Sequence, residues 1–106
     1  MKKYAGDNIL TDHSSWSFSG DTYKNFDSHI LKSVPLYDWS HYVGLKISDF
    51  FLSDGTSMVD LGSSTGTFIK KLAMKNKNKK IRYTGYDTVE NMIKSSKKNC
   101  KKIKNA

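Results

Sequence analysis

Two acids and a run of small residues are the parts of this sequence best suited to chemistry. Asp60 closes an apolar stretch, and Gly62-Ser63-Ser64-Thr65-Gly66 follows it, with side chains small enough for a ligand to approach the backbone. A helix that begins at the end of this run directs free N–H groups toward that ligand. Asp87 follows a second strand-like stretch, 25 residues after Gly62, where one carboxylate can accept from both hydroxyls of a ribose. The pattern indicates a nucleotide-type cofactor site.

The residue types in the loop favour one cofactor but leave others open. A dinucleotide fingerprint, Gly-x-Gly-x-x-Gly, requires glycine where this chain has Ser64 and Thr67. S-adenosylmethionine carries no pyrophosphate and tolerates a less open loop, and Asp60 can help to hold its ammonium group. The loop taken alone is also compatible with a plain tight turn.

Two other loop types fit less well. The same residues spell Gly-x-Ser-x-Gly, the nucleophile elbow of α/β-hydrolases, in which the catalytic histidine follows the serine. All three histidines of this chain precede Ser64, at His13, His29 and His41. A phosphate-binding P-loop needs Gly-Lys-Ser/Thr, whereas Gly66 is followed by threonine and phenylalanine.

Composition bounds the size and the partners of the protein. A chain of 106 residues is one small domain, and its single cysteine, Cys100, permits no internal disulfide and no zinc cluster. Of the net charge of +8, the positive part lies late in the chain: residues 70–106 hold thirteen basic and two acidic residues. Such a face can contact RNA. No aromatic residues interleave the terminal lysines, so a solvated helix face is the preferred interpretation.

The patterning of the chain predicts two helices followed by one β-α-β-α unit. Residues 1–20 are polar and without periodicity, so we expect an irregular arm anchored by Trp16 and Phe18. Helical spacing runs from Asp21 to Pro35 and from about 38 to 52. Strands at 58–61 and 81–86 alternate with helices at 65–74 and 88–103, which predicts a parallel sheet. Without an apolar membrane span or a signal peptide, a cytoplasmic location is expected.

Several of these segments together resemble the carboxy-S-adenosyl-L-methionine synthases, a family linked to tRNA wobble-uridine modification. The matching elements are Trp16-Ser17-Phe18, then Phe26, then the run from His29 through Lys32-Ser33-Val34-Pro35 to Tyr37, then the run from Val59 to Gly66. The resemblance extends to Asp87. It implies a Rossmann-like class I methyltransferase fold of the α/β class and S-adenosyl-L-methionine as cofactor.

The resemblance also assigns roles to individual residues. It implies that Tyr37 lines the cofactor pocket and that Gly62, Ser63 and Ser64, with Asp60 and Gly66 beside them, hold the methionine part. Asp87 and Thr88 would contact the adenosine. The family's carboxylate-binding arginine lies far downstream, and Arg82 matches no such position, so no catalytic residue is assigned.

The match covers only the beginning of that family's domain. We therefore expect residues 21–106 to be its N-terminal half, truncated to the first helices and one β-α-β-α unit, whether as a fragment, a truncated reading frame or part of a split protein. Such a chain alone would be inactive, and the open edge of its sheet would favour self-association or a complementing chain. The alternatives are a generic methyltransferase fragment, with RNA as one candidate substrate, and a non-catalytic RNA-binding fragment.

Overall fold

The computed structural model describes residues 2–4, 10–12, 21–104 and 106, the first two stretches by their backbone alone. Its elements, in chain order, are β1 (Lys2–Tyr4), β2 (Leu10–Asp12), α1 (Thr22–Ser33), α2 (Tyr37–Ile47), a 3-10 turn (Ser48–Phe50), β3 (Ser57–Leu61), α3 (Thr67–Lys75), β4 (Arg82–Tyr86) and α4 (Glu90–Cys100). Within these described stretches no helix is long and apolar enough to cross a bilayer.

Strands β3 and β4 form the parallel pair that the sequence predicts. Asp60 lies opposite Gly85 and Leu61 opposite Tyr86, so the two strands end at the same edge of the sheet. Parallel strands require a crossover connection, which α3 supplies. The predicted β-α-β-α unit is confirmed, and its two strand ends place the glycine-containing loop beside Asp87.

The core lies on one face of this sheet, beneath α3 and α4. Ile69 and Leu72 lie three positions apart on the inner face of α3 and are 3% and 1% exposed. Burying a side chain of this size contributes about 1.5–3 kcal/mol. They pack in one cluster with five other buried residues: Leu52, Ala73, Ile81, Tyr83 and Cys100.

The opposite face of the sheet is open in the described structure. Val59, Leu61 and Tyr86 alternate along the two strands on this face and are 55%, 79% and 59% exposed. Parallel sheets are normally covered on both faces. An apolar surface is therefore presented to solvent directly below the candidate loop.

The connection between α1 and α2 is a sharp corner built on Leu36. Val34 ends α1 in an extended conformation and Pro35 blocks its continuation. Leu36 then adopts the left-handed conformation, with φ 59° and ψ 20°, and precedes the first residue of α2. The left-handed region costs a residue with a Cβ about 1–2 kcal/mol. This corner sets the position of Tyr37.

Several predicted boundaries were wrong. The second helix ends at Ile47 rather than near 52. Immediately after Ile47, the Ser48 hydroxyl donates to the Leu45 carbonyl at 2.7 Å, and the chain forms a 3-10 turn. The fourth ends at Cys100, not 103. The start of α1 agrees with the prediction: Asp21 occupies the N-cap position, and its carboxylate pairs with Lys24 at 3.1 Å.

Residues 2–4 and 10–12, the described part of the first 20 residues, form strands where the sequence predicts an irregular arm. Strands β1 and β2 pair in antiparallel register, with Lys2 opposite Asp12. Three-residue strands are too short to show a period-two pattern, which is why composition alone missed them. The expected anchors Trp16 and Phe18 lie outside the described residues.

Candidate functional site

The loop between β3 and α3 turns sharply at the shared end of the two strands. The backbone N–H groups of Gly62 and Ser63 both donate to the Tyr86 carbonyl, at 2.8 and 2.9 Å, which fixes the loop to β4. Gly62 has φ 77°, and a Cβ added there would meet no described atom within 4 Å. The loop therefore presents bare backbone to open space, as close approach of a ligand requires.

Gly66, at the far end of the loop, has a different role from Gly62. It is also left-handed, with φ 76°, but a Cβ there would collide with Ser96 Oγ and lie 3.2 Å from Cys100 Sγ. Both neighbours belong to α4. Gly66 thus allows the loop to pack against α4 and to turn into α3, and it lines neither of the cavities described below.

Asp87 joins the loop to the start of α4. Its Oδ2 accepts from the Ser64 N–H at 2.9 Å, and its Oδ1 accepts from the Val89 N–H at 2.8 Å. Ser64 is itself left-handed, with φ 50°. A carboxylate offers about four acceptor positions, so about two remain for hydroxyl groups of a ligand. Asp87 is therefore both a structural tie and an available acceptor.

Two cavities flank the loop and share Phe26, Gly62 and Ser64 in their walls. The first, of about 320 Å³, includes three further residues predicted from the sequence: Tyr37, Asp60 and Ser63. The second, of about 270 Å³, includes the remaining predicted pair, Asp87 and Thr88, with Val89 and Met92. The structure thus brings seven of the eight sequence-predicted residues to one divided cleft.

Asp60 is a desolvated acid in the first cavity. Burial raises the pKa of its carboxyl group, and the neighbouring charge of Asp87 raises that pKa further. Among the described residues, none donates a hydrogen bond to the Asp60 carboxylate. A half-buried carboxylate without donors is stabilised by a cation, such as an ammonium group, that enters the cavity.

Two residues in the wall of the same cavity, Tyr37 and Ser63, carry hydroxyl groups. Burial, with smaller contributions from Asp27 and Asp60, raises the pKa of Tyr37, so its hydroxyl keeps its proton. Ser63 is 5% exposed, and its Oγ is buried without a hydrogen-bond partner among the described residues. An unpartnered buried hydroxyl costs about 1–3 kcal/mol. A ligand carboxylate can accept from Tyr37, whereas Ser63 Oγ lies against Gly85 and has almost no exposed surface.

His41 belongs to this cavity, although the sequence pattern did not single it out. Its ring lies between those of Tyr37 and Phe68, at centroid distances of 4.5 and 5.1 Å. Burial and then the Lys71 charge lower the pKa of His41, so the ring is neutral near pH 7. Lys71 Nζ lies 3.1 Å from Nδ1 and donates to it, which leaves the ring proton on Nε2. The four-residue spacing from Tyr37 was the signal available in the sequence.

Asp27 is a second functional residue that sequence reasoning missed. It lies on α1, yet its Oδ1 accepts from Thr65 Oγ1 at 2.9 Å and from Thr67 Oγ1 at 3.0 Å. These contacts join residues 38 and 40 positions apart in the chain, so no local sequence pattern predicts them. They tie α1 to the end of the loop.

A further cavity lies away from the loop. It measures about 570 Å³ and lies where α3 and α4 end, with four lysines in its wall: Lys77, Lys79, Lys102 and Lys104. Cations near the carboxyl ends of helices offset the helix dipole. These lysines can therefore stabilise the carboxyl ends of the two helices. The acids and hydroxyl groups suited to ligand binding lie at the loop instead.

Comparisons with known proteins relate this chain to methyltransferases. A family model described as a methyltransferase domain matches residues 52–106. The chain is 39% identical over 82 residues to the carboxy-S-adenosyl-L-methionine synthase of Nautilia profundicola, which covers 77% of this chain and 34% of that protein. It is 37% identical over 59 residues to the synthase of Staphylococcus epidermidis, covering 55% and 26%. The synthase of Sulfurimonas denitrificans is 36% identical over 83 residues, covering 74% and 33%.

The chain spans about a third of the length of these relatives. No solved structure matches it significantly. The family model covers more than half of the chain, and its span begins at Leu52 and includes β3, the loop, α3, β4 and α4. This chain therefore belongs to the class I S-adenosylmethionine-dependent methyltransferase family.

Proposed function

We propose that the chain binds S-adenosylmethionine across the divided cleft and forms the cofactor-binding portion of a methyltransferase-like enzyme of the carboxy-S-adenosyl-L-methionine synthase type. The observation that carries this proposal is the position of Gly62 and Ser64 between two cavities, each with one acid in its wall. A ligand with a cationic amino-acid end and a ribose end fits that division. The bare backbone at Gly62 leaves room for it to pass from one cavity to the other.

On the first side, the described groups match an amino acid. The Asp60 carboxylate, which lacks donors in the described structure, would pair with the ammonium group. The Tyr37 hydroxyl would donate to the carboxylate, and the Ser63 hydroxyl would join it after rotating away from Gly85. The neutral His41 ring packs between Tyr37 and Phe68 in the same wall.

On the second side, the described groups match an adenosine. The remaining acceptor positions of Asp87 would take the ribose hydroxyls, with Thr88 next to it. Val89 would supply apolar surface for the base, with the buried Met92 in the same wall. The Asp87 contact with Ser64 holds both sides in fixed relation.

The bound cofactor supplies an electrophilic carbon on its sulfonium. The residues of this chain bind and orient it, and such positioning is a large part of the catalysis of group transfer. By its resemblance to the synthases, we propose that the enzyme acts on the cofactor itself, making its carboxylated form for tRNA wobble-uridine modification in the cytoplasm.

Titration calorimetry with S-adenosylmethionine tests this proposal. Asp87→Ala removes an acceptor for the ribose, so we expect its affinity to fall roughly tenfold or more. Asp21→Ala is the control, because Asp21 is exposed and pairs with Lys24 alone in the described structure. No binding by folded protein, or equal affinity in Asp87→Ala, would refute the proposal. If the wild type binds a nicotinamide dinucleotide as tightly as S-adenosylmethionine or more tightly, a dehydrogenase-type loop would be favoured.

A partner chain is the second part of the proposal. The open face with Val59, Leu61 and Tyr86 is apolar and lies on a parallel sheet, which normally has cover on both sides. We propose that a complementing chain or a second copy packs there. Light scattering of the wild type and of Leu61→Lys tests it: the substitution should convert an assembly into monomers, whereas a wild type that is already monomeric would count against self-association.

RNA contact is a separate candidate, favoured by the excess of lysine after residue 70. Filter binding with a short RNA over 50–200 mM salt would reveal it, because phosphate contacts make affinity fall steeply with salt. An affinity unaffected by Asp87→Ala would separate this binding from cofactor binding. Salt-independent or absent binding would remove RNA from the proposal.

A further inference from the structure

We infer that Asp27 is a positioning residue of this site, which holds the end of the cofactor loop against α1 through the hydroxyls of Thr65 and Thr67. The inference rests on the proposed function, since it concerns the geometry of the proposed cofactor cleft. No local motif or family resemblance pointed to Asp27, and it is not among the described residues that line either cavity. It acts through residues that do.

The contact is a compact triangle of oxygens. Asp27 Oδ1 accepts from Thr65 Oγ1 at 2.9 Å and from Thr67 Oγ1 at 3.0 Å, and the two hydroxyl oxygens lie 3.2 Å apart. Thr65 is 2% exposed, so its hydroxyl has little access to water as an alternative partner. Hydrogen bonds to an ionised acceptor are stronger than neutral ones.

The contact holds the bend at which the loop becomes a helix. Thr65 and Thr67 flank Gly66, the left-handed residue that precedes α3, and no described side chain caps that helix. From the other side, Asn99 Nδ2 donates to the Thr65 carbonyl at 2.9 Å. The bend is thus fixed between α1 and α4. Removing Asp27 frees one of these two attachments.

Two consequences reach the cleft directly. Phe26, the residue before Asp27, lines both cavities, so the cleft has its complete wall only when α1 is packed against the loop. Thr65 and Thr67 line the first cavity. A shift of the bend would therefore move part of the wall of that cavity.

The test combines binding with a measurement that does not depend on the ligand. We expect Asp27→Ala to weaken S-adenosylmethionine binding by about tenfold, measured by calorimetry well below its melting temperature. Asp27→Asn keeps an acceptor oxygen at the same place and should restore most of the affinity. The Asp27→Ala/Thr67→Val double variant should lose less affinity than the two single variants added together, because both changes remove the bond between Asp27 and Thr67. Asp21→Ala, at the start of the same helix, should bind as the wild type does.

Hydrogen–deuterium exchange supplies the second measurement. Amides of residues 64–67 should exchange faster in Asp27→Ala than in Asp21→Ala, whether or not ligand is bound. If wild-type protein binds no S-adenosylmethionine, the proposed function fails while this comparison still decides the inference. If Asp27→Ala does not fold, Thr67→Val removes one of the two bonds and should show a smaller change in the same direction. Unchanged affinity and unchanged exchange in a folded variant would overturn the inference.

Discussion

Replacing Gly85 with alanine should destabilise the protein by displacing the cofactor loop. A Cβ at Gly85 would lie 2.7 Å from Ser63 Oγ, 2.9 Å from Ser63 Cβ and 2.8 Å from Ile69 Cδ1. Carbon contacts are normally about 3.5–4.0 Å, so these atoms must move. Overpacking costs about 1–3 kcal/mol, whereas replacing a strand glycine by alanine gains about 0.5–1 kcal/mol. The difference between these ranges is about 0–2.5 kcal/mol, and we expect a net loss near its middle, about 1 kcal/mol.

Thermal and urea denaturation followed by circular dichroism measure this loss. For a domain of this size, 1 kcal/mol corresponds to about 4–8 °C in Tm. Ser63→Gly removes two of the three close contacts, so adding it to Gly85→Ala should recover about half of the lost Tm, after correction for Ser63→Gly alone. A Gly85→Ala protein as stable as the wild type, or a double variant without recovery, would refute the packing argument.

Three further predictions follow from single side chains. Cys100 is 8% exposed and burial raises its pKa, so a thiol reagent should label the native protein far more slowly than the urea-unfolded protein; equal rates would contradict this. The pKa of His41 is lowered from 6.5 in the folded protein, so just below that pH the unfolded chain binds more protons and stability should fall as the pH is lowered. In His41→Gln, the urea midpoint should depend less on pH between pH 7.5 and 5.5. The pKa of Asp60 is raised from 3.8, so stability is lost as pH rises above that value; Asp60→Asn should raise Tm at pH 7 while it weakens S-adenosylmethionine binding, and a lowered Tm would contradict the assigned burial.

The sequence predicted the parts of this fold that depend on neighbours along the chain. An apolar strand, a loop of small residues and a helix occur at residues 57–75 because each follows from local sterics and periodicity. The juxtaposition of Asp87 with the loop was also predictable, because parallel strands of equal length end at the same edge. Asp60, Ser63 and Thr88 lie at the cleft because each is close to the end of one of these two strands.

The remainder depended on contacts between distant segments. Asp27 and Thr65 are 38 positions apart, and nothing in either neighbourhood marks them as partners. The helical spacing of α2 suggested a buried face, yet Trp39 is 58% and Ile47 51% exposed, because in the described structure no element covers that face. Periodicity reports which residues share a face and not whether that face is covered.

The corner at Leu36 has a consequence for how this sequence can vary. Its side chain is 75% exposed and contributes little packing, whereas its backbone must hold a φ of 59°. Selection at position 36 therefore acts on backbone geometry rather than on side-chain identity. Glycine or asparagine should be accepted there with a gain in stability, and β-branched residues should be purged. A library randomised at this one codon should become enriched in glycine and asparagine, and the same residues are the expected ones at this corner as the lineage diverges.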